Sequence, residues 1–421
     1  MREVVVSGLG MVTPSGHSAE ASFAQWQAGQ CAIGPAPEAV RKWLPHALAA
    51  AVPEGWETRL DRSEQGLDRA VQLALVAATE AIDDAGLAAD NALRSTRNGV
   101  YVGIGLAGAQ TLESLYSTFY QRLYEPEANG HRNPTMLHPL TVPRLMANAA
   151  AAALSMKYGL QGPSHTYSVA CASSAVALGE AYRAIQYGLA DKMLVIGTES
   201  QLTTGAYLGW NALRVTATPD STDISRSCKP FDAQRSGFVL GEGAAALVLE
   251  ARESAEQRGA PIYAYIRGYG STSDANHLTA PSAEGQARAM QLALQEAHIT
   301  PEQVDYINAH GTATGVGDST ESASIAQVFG EHAKRLPISA TKSMHGHLIG
   351  AAGAVEFAAT LLSVQTGTLL PSATLTQPDP SCPLDYIPGQ ARTGQHVRYA
   401  LSNSFAFGGS NVALLVERYA A

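Results

Sequence analysis

The chain is poor in charge. Of its 421 residues, 15% are Asp, Glu, Lys or Arg and 46% are hydrophobic. A large core is available, and little of the sequence is committed to a heavily solvated surface. Excess positive charge is also missing: 28 Lys and Arg stand against 37 Asp and Glu, a net −9. That excludes a generally basic coat for nucleic acid, and an acidic partner needs a local basic patch. Cysteine is scarce. Cys31, Cys171, Cys228 and Cys382 are scattered without C-x-x-C spacing, which excludes a disulfide framework and a cysteine-rich zinc module. No apolar run reaches the length of a membrane span. The first residues lack the long apolar segment of a secretory signal. No G-x-G-x-x-G follows an early strand to open a helix, so no dinucleotide site is indicated. The expectation is a cytoplasmic enzyme with no membrane and no nucleic-acid partner.

What is plentiful is Gly, with 39 residues, together with Ala. This composition fits an α/β protein whose helices approach a sheet closely. The length exceeds that at which a single core usually stops growing, so the chain holds two domains or two similar halves. Two internal resemblances favour similar halves. Residues 236–250 (SGFVLGEGAAALVLE) resemble 403–417 (NSFAFGGSNVALLVE). In each, a Phe and a small-residue turn precede an apolar strand closed by Glu. Residues 175–188 (AVALGEAYRAIQYG) resemble 354–367 (AVEFAATLLSVQTG), both helix-period segments ended by Gly. The pairs occur in the same order, which predicts a pseudo-symmetric pair of α/β halves. The first, 1–252, carries Cys171 and an insertion; the second, 253–421, carries His310 and His347.

Segments 4–7, 100–104, 193–196, 262–266 and 304–307 read as strands, and the continuous apolar runs 246–249 and 413–416 as strands covered on both faces. Residues 67–85, 284–297 and 318–329 read as helices. The polar, aromatic stretch 109–141 reads as an irregular cap or lid. Its Tyr116, Phe119, Tyr120, Leu123 and Tyr124 are core filler or the wall of an acyl tunnel, with core filler favoured.

Four segments carry chemistry. Cys171 sits in SVACASS (168–174), where a strand gives way to an Ala-rich helix. The partial positive charge of a helix start lowers a thiol's pKa, so this cysteine suits a nucleophile, whereas Cys31, Cys228 and Cys382 read as structural. His310 follows a strand in a small-residue loop with Thr312 and Thr314. Asp318 and Glu321 then open the next helix in capping-box fashion. Lys342, His345 and His347 lie in a Gly- and Ala-rich run before the buried helix. With no acidic or cysteine ligand nearby in sequence, His345 and His347 make a poor metal pair. Last, Phe405, Ala406, Phe407, Gly408 and Gly409 form a loop able to turn a backbone N–H toward an oxyanion.

These segments resemble the β-ketoacyl-acyl-carrier-protein synthases of the elongating type. The carriers of the likeness are ACAS at 170–173, HGTAT at 310–314, KSMHGH at 342–347 and FGG at 407–409. Segment 6–14 (VSGLGMVTP) and segment 237–243 (GFVLGEG) extend it along nearly the whole chain. The resemblance implies the thiolase fold, five αβαβα layers in two related halves. It implies an acyl group on Cys171 condensing, with loss of carbon dioxide, with the malonyl thioester of an acyl carrier protein. His310 and His347 would hold the thioester oxygen, the N–H groups of Cys171 and Phe407 the oxyanion, Thr312 and Thr314 the pantetheine arm. Lys342 would supply charge at the decarboxylation site. No organic cofactor is implied. Asn308, Glu356, Ser402 and Asn403 match positions that hold a structural sodium or potassium ion in some relatives. A homodimer is the usual assembly.

Two departures bear on pathway. Ala406 stands where relatives carry Gly in a gating loop, and LGWN (208–211) replaces a Phe-rich run near the acyl pocket. Carrier docking would rest on Arg62, Arg69 and Arg214, fewer basic residues than usual. Fatty-acid elongation is one reading. The other is a discrete ketosynthase of a secondary polyene or polyketide pathway, paired as a heterodimer with a nucleophile-lacking subunit.

Overall fold

The computed structural model describes residues 1–89, 92–124 and 138–420. Ten strands form one sheet whose two halves share a design. In the first half Ser164–Tyr167, Asn98–Gly103 and Lys192–Glu199 run parallel; Gly243–Ala251 and Val4–Val12 follow antiparallel. In the second half Ile338–Ser339, Tyr306–Asn308 and Tyr399–Phe405 run parallel; Ser410–Arg418 and Ala264–Ser273 follow antiparallel. Val4, Val5 and Val6 pair with Ile266, Tyr265 and Ala264 and join the halves. Gly243–Ala251 is buried along its whole length, and Ser410–Arg418 is buried from Asn411 to Val416, as unbroken apolar runs require.

Two helices fill the space between the halves. Ser173–Gln186 packs on Lys192–Glu199 and reaches Ser410–Arg418; Ala352–Thr366 packs on Tyr399–Phe405 and reaches Gly243–Ala251. The two also pack on each other. Arg69–Asp84 and Ala149–Tyr158 cover the outer face of the first half, Ala283–Glu296 and Gly315–Phe329 that of the second. The result is five layers, helix–sheet–helix–sheet–helix, the thiolase fold. Close approach depends on absent side chains: a Cβ on Gly103 would lie 2.3 Å from the Ser174 backbone. The segment Ile349–Thr366 has the length and apolarity of a membrane span, but 83% of it lies inside the molecule. It is the core of the fold.

The repeat is confirmed where it rests on the buried helices and on Gly243–Ala251 with Ser410–Arg418. Its leading parts are not equivalent. Tyr399–Phe405 belongs to the large sheet, whereas Leu240–Gly241 joins a small three-stranded sheet with Gly34–Pro35 and Leu48–Ala50. The insertion also differs from expectation. Ala109–Tyr124 is a regular helix, and 125–137 lie outside the described residues. Tyr116, Tyr120 and Tyr124 are 53%, 49% and 71% exposed and stack along one helix face; Phe119 and Leu123 are half-buried. Four-residue spacing puts these tyrosines on the outer side of the helix, so they are not core filler.

Candidate active site

Ala170 takes a left-handed φ of 46°, an uncommon conformation for a residue with a Cβ. It turns the chain sharply between Tyr167, where a strand ends, and Ser173, where the central helix begins. Cys171 is displayed at this elbow. His310 leaves the strand Tyr306–Asn308 on the other half, and His347 precedes the second central helix. The fold brings the three together: the Cys171 Sγ and one ring nitrogen of each histidine lie within 4.8 Å of one another. His347 Nε2 is 3.0 Å from Sγ, and the two imidazoles cross at 83°.

Hydrogen bonds fix how the imidazoles present themselves. The Ile349 N–H donates to His347 Nδ1 at 3.3 Å, with Ile349 itself left-handed at φ 44°. His310 Nδ1 faces the Lys342 ammonium at 3.4 Å. Each Nδ1 therefore accepts, and each Nε2 carries the proton and donates. A histidine that ligates a metal through Nε2 has the opposite tautomer, its Nδ1–H donated to an acceptor, so this cluster is built as a pair of hydrogen-bond donors. Burial, aided by the Lys342 charge, holds both rings well below the usual histidine range, hence neutral. His345 is buried against Trp26 and outside the cluster; burial pushes it down to about 3.

Cys171 corrects one expectation. Burial pushes its thiol up to about 12, against the pull of the Lys342 charge and a hydrogen bond from the Phe407 N–H. At 3% exposure the loss of hydration outweighs the helix start. The same Phe407 N–H is aimed at the sulfur, the direction needed for a donor to an oxyanion formed there.

Lys342 does not line the cavity. It is fully buried, ion-paired with Glu356, and donates to the His310 carbonyl at 2.6 Å. It positions His310 from behind. The loop before it is tied down by a residue read as a helix cap. The helix begins at Gly315, not at Asp318. Asp318 and Glu321 are thus inside the helix and turn inward. Glu321 accepts from the N–H groups of His310 and Gly311, both at 2.8 Å. Asp318 accepts from Phe231 and Ala313. Both stay structural, but as anchors of the catalytic loop.

A cavity of about 320 Å³ opens onto this centre, lined by Cys171, His310, His347, Thr312, Thr314, Phe405, Ala406, Phe407, Gly409 and Arg214 among others. Gly408 is exposed beside it. Thr312 and Thr314 share a hydrogen bond at 3.0 Å. Among the proposed cation ligands, Asn308 Oδ1, Glu356 Oε2 and Asn403 Oδ1 are buried oxygens without a partner. That donor set fits a hard monovalent cation; Ser402 is buried beside Asn403 in the strand. The docking residues divide. Arg62 is exposed and Arg214 stands on the cavity wall. Arg69 is turned inward, forked onto buried Glu242 at 2.6 and 2.8 Å, and is removed from the docking set. Sequence reasoning missed Phe238, which meets His347 edge-on at 5.2 Å, and Glu199, which receives N–H bonds from Gly105, Leu106 and Gly350. A Glu in an apolar strand end was the available signal for the latter.

A buried thiol facing two neutral imidazole donors, on a doubled α/β fold, is the arrangement of a carbon–carbon condensing enzyme of the thiolase-fold class. Comparison with known proteins narrows the class. The family model for the β-ketoacyl synthase N-terminal domain matches residues 1–255, and that for the C-terminal domain residues 263–376. The chain belongs to the β-ketoacyl synthase family. It is 38% identical to 3-oxoacyl-[acyl-carrier-protein] synthase 2 of Staphylococcus aureus, over 100% of this chain and 99% of the relative. The enzyme of that name from Synechocystis is also 38% identical, over 99% of this chain and 98% of the relative. Among solved structures, a β-ketoacyl synthase from Burkholderia phymatum superposes with a TM-score of 0.88 at 36% identity. The ishigamide ketosynthase/chain length factor gives 0.89 at 32%. A type II polyketide ketosynthase bound to its acyl-carrier protein gives 0.88 at 31%. Each of these three structures covers 100% of both chains.

Proposed function

We propose that the chain is a 3-oxoacyl-[acyl-carrier-protein] synthase. The observation that carries this reading is the pair of Nε2–H donors beside Cys171, with the Phe407 N–H aimed at the sulfur. In the first stage Cys171 Sγ attacks an acyl thioester. The carbon–sulfur bond to the phosphopantetheine arm breaks, and the departing thiolate takes the proton that Cys171 gives up. The malonyl thioester then enters with its arm along Thr312 and Thr314. Its carboxylate leaves as carbon dioxide, and the electron pair remains as an enolate whose oxygen is held by His310 and His347. Neutral donors stabilise that charge without protonating the carbon. The carbon attacks the acyl-Cys171 carbonyl. The oxyanion rests on the Cys171 and Phe407 N–H groups, then collapses to expel the Cys171 thiolate and release the 3-oxoacyl product.

In this reading Lys342 keeps His310 in register, and Asn308, Glu356, Ser402 and Asn403 hold a sodium or potassium ion. The reaction itself uses no organic cofactor. Residues 1–252 and 253–421 act as the two halves, and the enzyme works in the cytoplasm. Arg62 and Arg214 meet the acidic carrier, and two chains associate, as a homodimer or with a nucleophile-lacking relative. The pathway is fatty-acid elongation. The polyene or polyketide reading is favoured by one observation, the Trp210–Phe407 stack at 6.2 Å in the apolar cluster that also holds Ala406, which puts an indole from the departing run 208–211 against the loop that carries Ala406. The test is intact-mass spectrometry of wild type and Cys171→Ala incubated with saturated and polyenoyl carrier thioesters. One acyl mass gained by wild type and absent from the variant is expected. No gain from any donor overturns the assignment, and the preferred chain separates the two pathways.

A further inference from the structure

Trp210 lies behind the Phe407 loop and takes no part in the cavity wall. It comes from the helix Thr204–Ala212 and touches two residues that do line the cavity. Its indole stacks on Phe407 at 6.2 Å and 28°. It stands edge-on to Phe238 at 5.5 Å and 79°. Its N–H donates to Gln201 Oε1 at 3.0 Å, and Gln201 is 2% exposed. The ring is thus anchored from its far side. Phe238 continues the contact to His347, edge-on at 5.2 Å.

The backbone beside Phe407 is hydrogen-bonded, but the aim of Phe407 itself depends on what its ring packs against. Gly408 and Gly409 follow at φ 87° and 77°, a conformation in which glycine turns at no steric cost. Gly408 is exposed, with nothing within 4 Å of where a Cβ would stand. The backbone is pinned by Gly408 N–H to the Leu278 carbonyl at 2.7 Å, Ala406 N–H to the Ser410 carbonyl at 2.8 Å, Gly409 N–H to the Ala406 carbonyl at 3.0 Å and Asp274 N–H to the Gly409 carbonyl at 2.8 Å, whereas the Phe407 ring is held by packing alone. Ala406 packs in the same apolar cluster as Trp210. Its φ is not positive, so its methyl fits this position of the loop.

We propose that Trp210 is a positioning residue for the oxyanion donor: its anchored ring holds Phe407 so that the Phe407 N–H stays aimed at the Cys171 sulfur. The inference rests on the condensing reading given above. Oxyanion donors act through pre-set geometry, and losing one typically costs about 10²–10³ in rate. A donor that wanders, rather than vanishes, loses part of that. Decarboxylation of malonyl thioester uses His310 and His347 and forms no tetrahedral centre at Cys171, so Trp210 reaches it only at second hand, through Phe238.

The experiment compares wild type, Trp210→Ala and Trp210→Phe in two assays. One follows acylation of Cys171 by hexanoyl phosphopantetheine thioester with time-resolved intact mass. The other follows carbon dioxide release from malonyl phosphopantetheine thioester without an acyl primer. Trp210→Ala is expected to slow acylation by about ten- to a hundredfold and to leave carbon dioxide release within about twofold. Trp210→Phe, which keeps a ring against Phe407 but loses the Gln201 anchor, recovers most of the acylation rate. Trp210→Ala acylating at the wild-type rate overturns this inference alone. So does an equal fall in both reactions with a lowered melting temperature, which marks a merely structural tryptophan. Wild type that takes up no acyl group overturns the condensing reading itself, and the inference with it.

Discussion

The Cys171 thiol is pushed up to about 12 by burial, and its reactivity should show this. Alkylation by iodoacetamide in the substrate-free enzyme is expected to keep rising through about pH 10.5, beyond the region near 9.5–10 where an exposed cysteine with a pKa of about 8.5 levels off. A plateau below pH 10 contradicts the geometry. Lys342 and Glu356 are both fully buried and paired. Lys342→Ala leaves an uncompensated carboxylate and is expected to cost about 3–5 kcal/mol. Lys342→Met with Glu356→Gln should cost clearly less than the two single changes added, read by urea denaturation. At this scale Cys171, His310 and His347 were legible because each stands in a small-residue segment, the first two after a strand and His347 before the buried helix. The left-handed backbone at Ala170, Ala313 and Ile349 was not, because alanine and isoleucine carry no local mark of such a conformation; tertiary packing imposes it.

Helices set the catalytic loops more than strands do. The helix Gly315–Phe329 turns the Glu321 carboxylate onto the His310 and Gly311 N–H groups. Glu321→Ala strips two buried donors of their acceptor and is expected to destabilise the protein by about 2–4 kcal/mol. Carbon dioxide release from malonyl thioester should fall further than Cys171 acylation, because His310 serves the former. Equal losses would show that the carboxylate supports the fold alone. Asp318 and Glu321 have capping-box spacing, yet the helix starts three residues earlier at Gly315 with no side-chain cap. The cap signal misleads here because both carboxylates find better partners in the loop they fold against. The central helices were legible as apolar segments ended by Gly188 and Gly367. The helix Ala109–Tyr124 was not, since its tyrosines face outward and give an aromatic stripe that reads like core.

At the level of the whole molecule, buried titrating groups oppose one another. His310, His345 and His347 are held neutral, below the usual 6.5. The unfolded chain therefore takes up three protons that the fold refuses, and their contribution falls as pH drops below 6.5. Glu199, Asp318 and Glu356 are pushed up to about 7 by burial. They bind protons in the fold before the unfolded chain does, so their contribution rises as pH falls from 7 toward 4. Three carboxyls against three histidines nearly cancel between 6.5 and 4.5, and the slope reaches about 4 kcal/mol per pH unit only below that, where the unfolded carboxyls are protonated too. Melting temperature against pH should therefore stay nearly level to about pH 4.5 and then collapse. His345→Leu should make the level part rise as pH falls. A collapse already complete at pH 6 is incompatible with this arrangement. The doubled sheet was legible from the repeats, while the join through Val4, Val5 and Val6 was not, since edge pairing leaves no periodicity in the sequence.

Cys171 and His347 touch although 176 residues separate them along the chain, and the Phe407 donor comes later still. During synthesis the sulfur emerges long before any group able to use it. A nascent chain holding only the first half therefore carries the sulfur without its imidazole and backbone N–H partners. The site is complete only once the strand Tyr399–Phe405 lies beside Tyr306–Asn308 and brings the last loop over the sulfur.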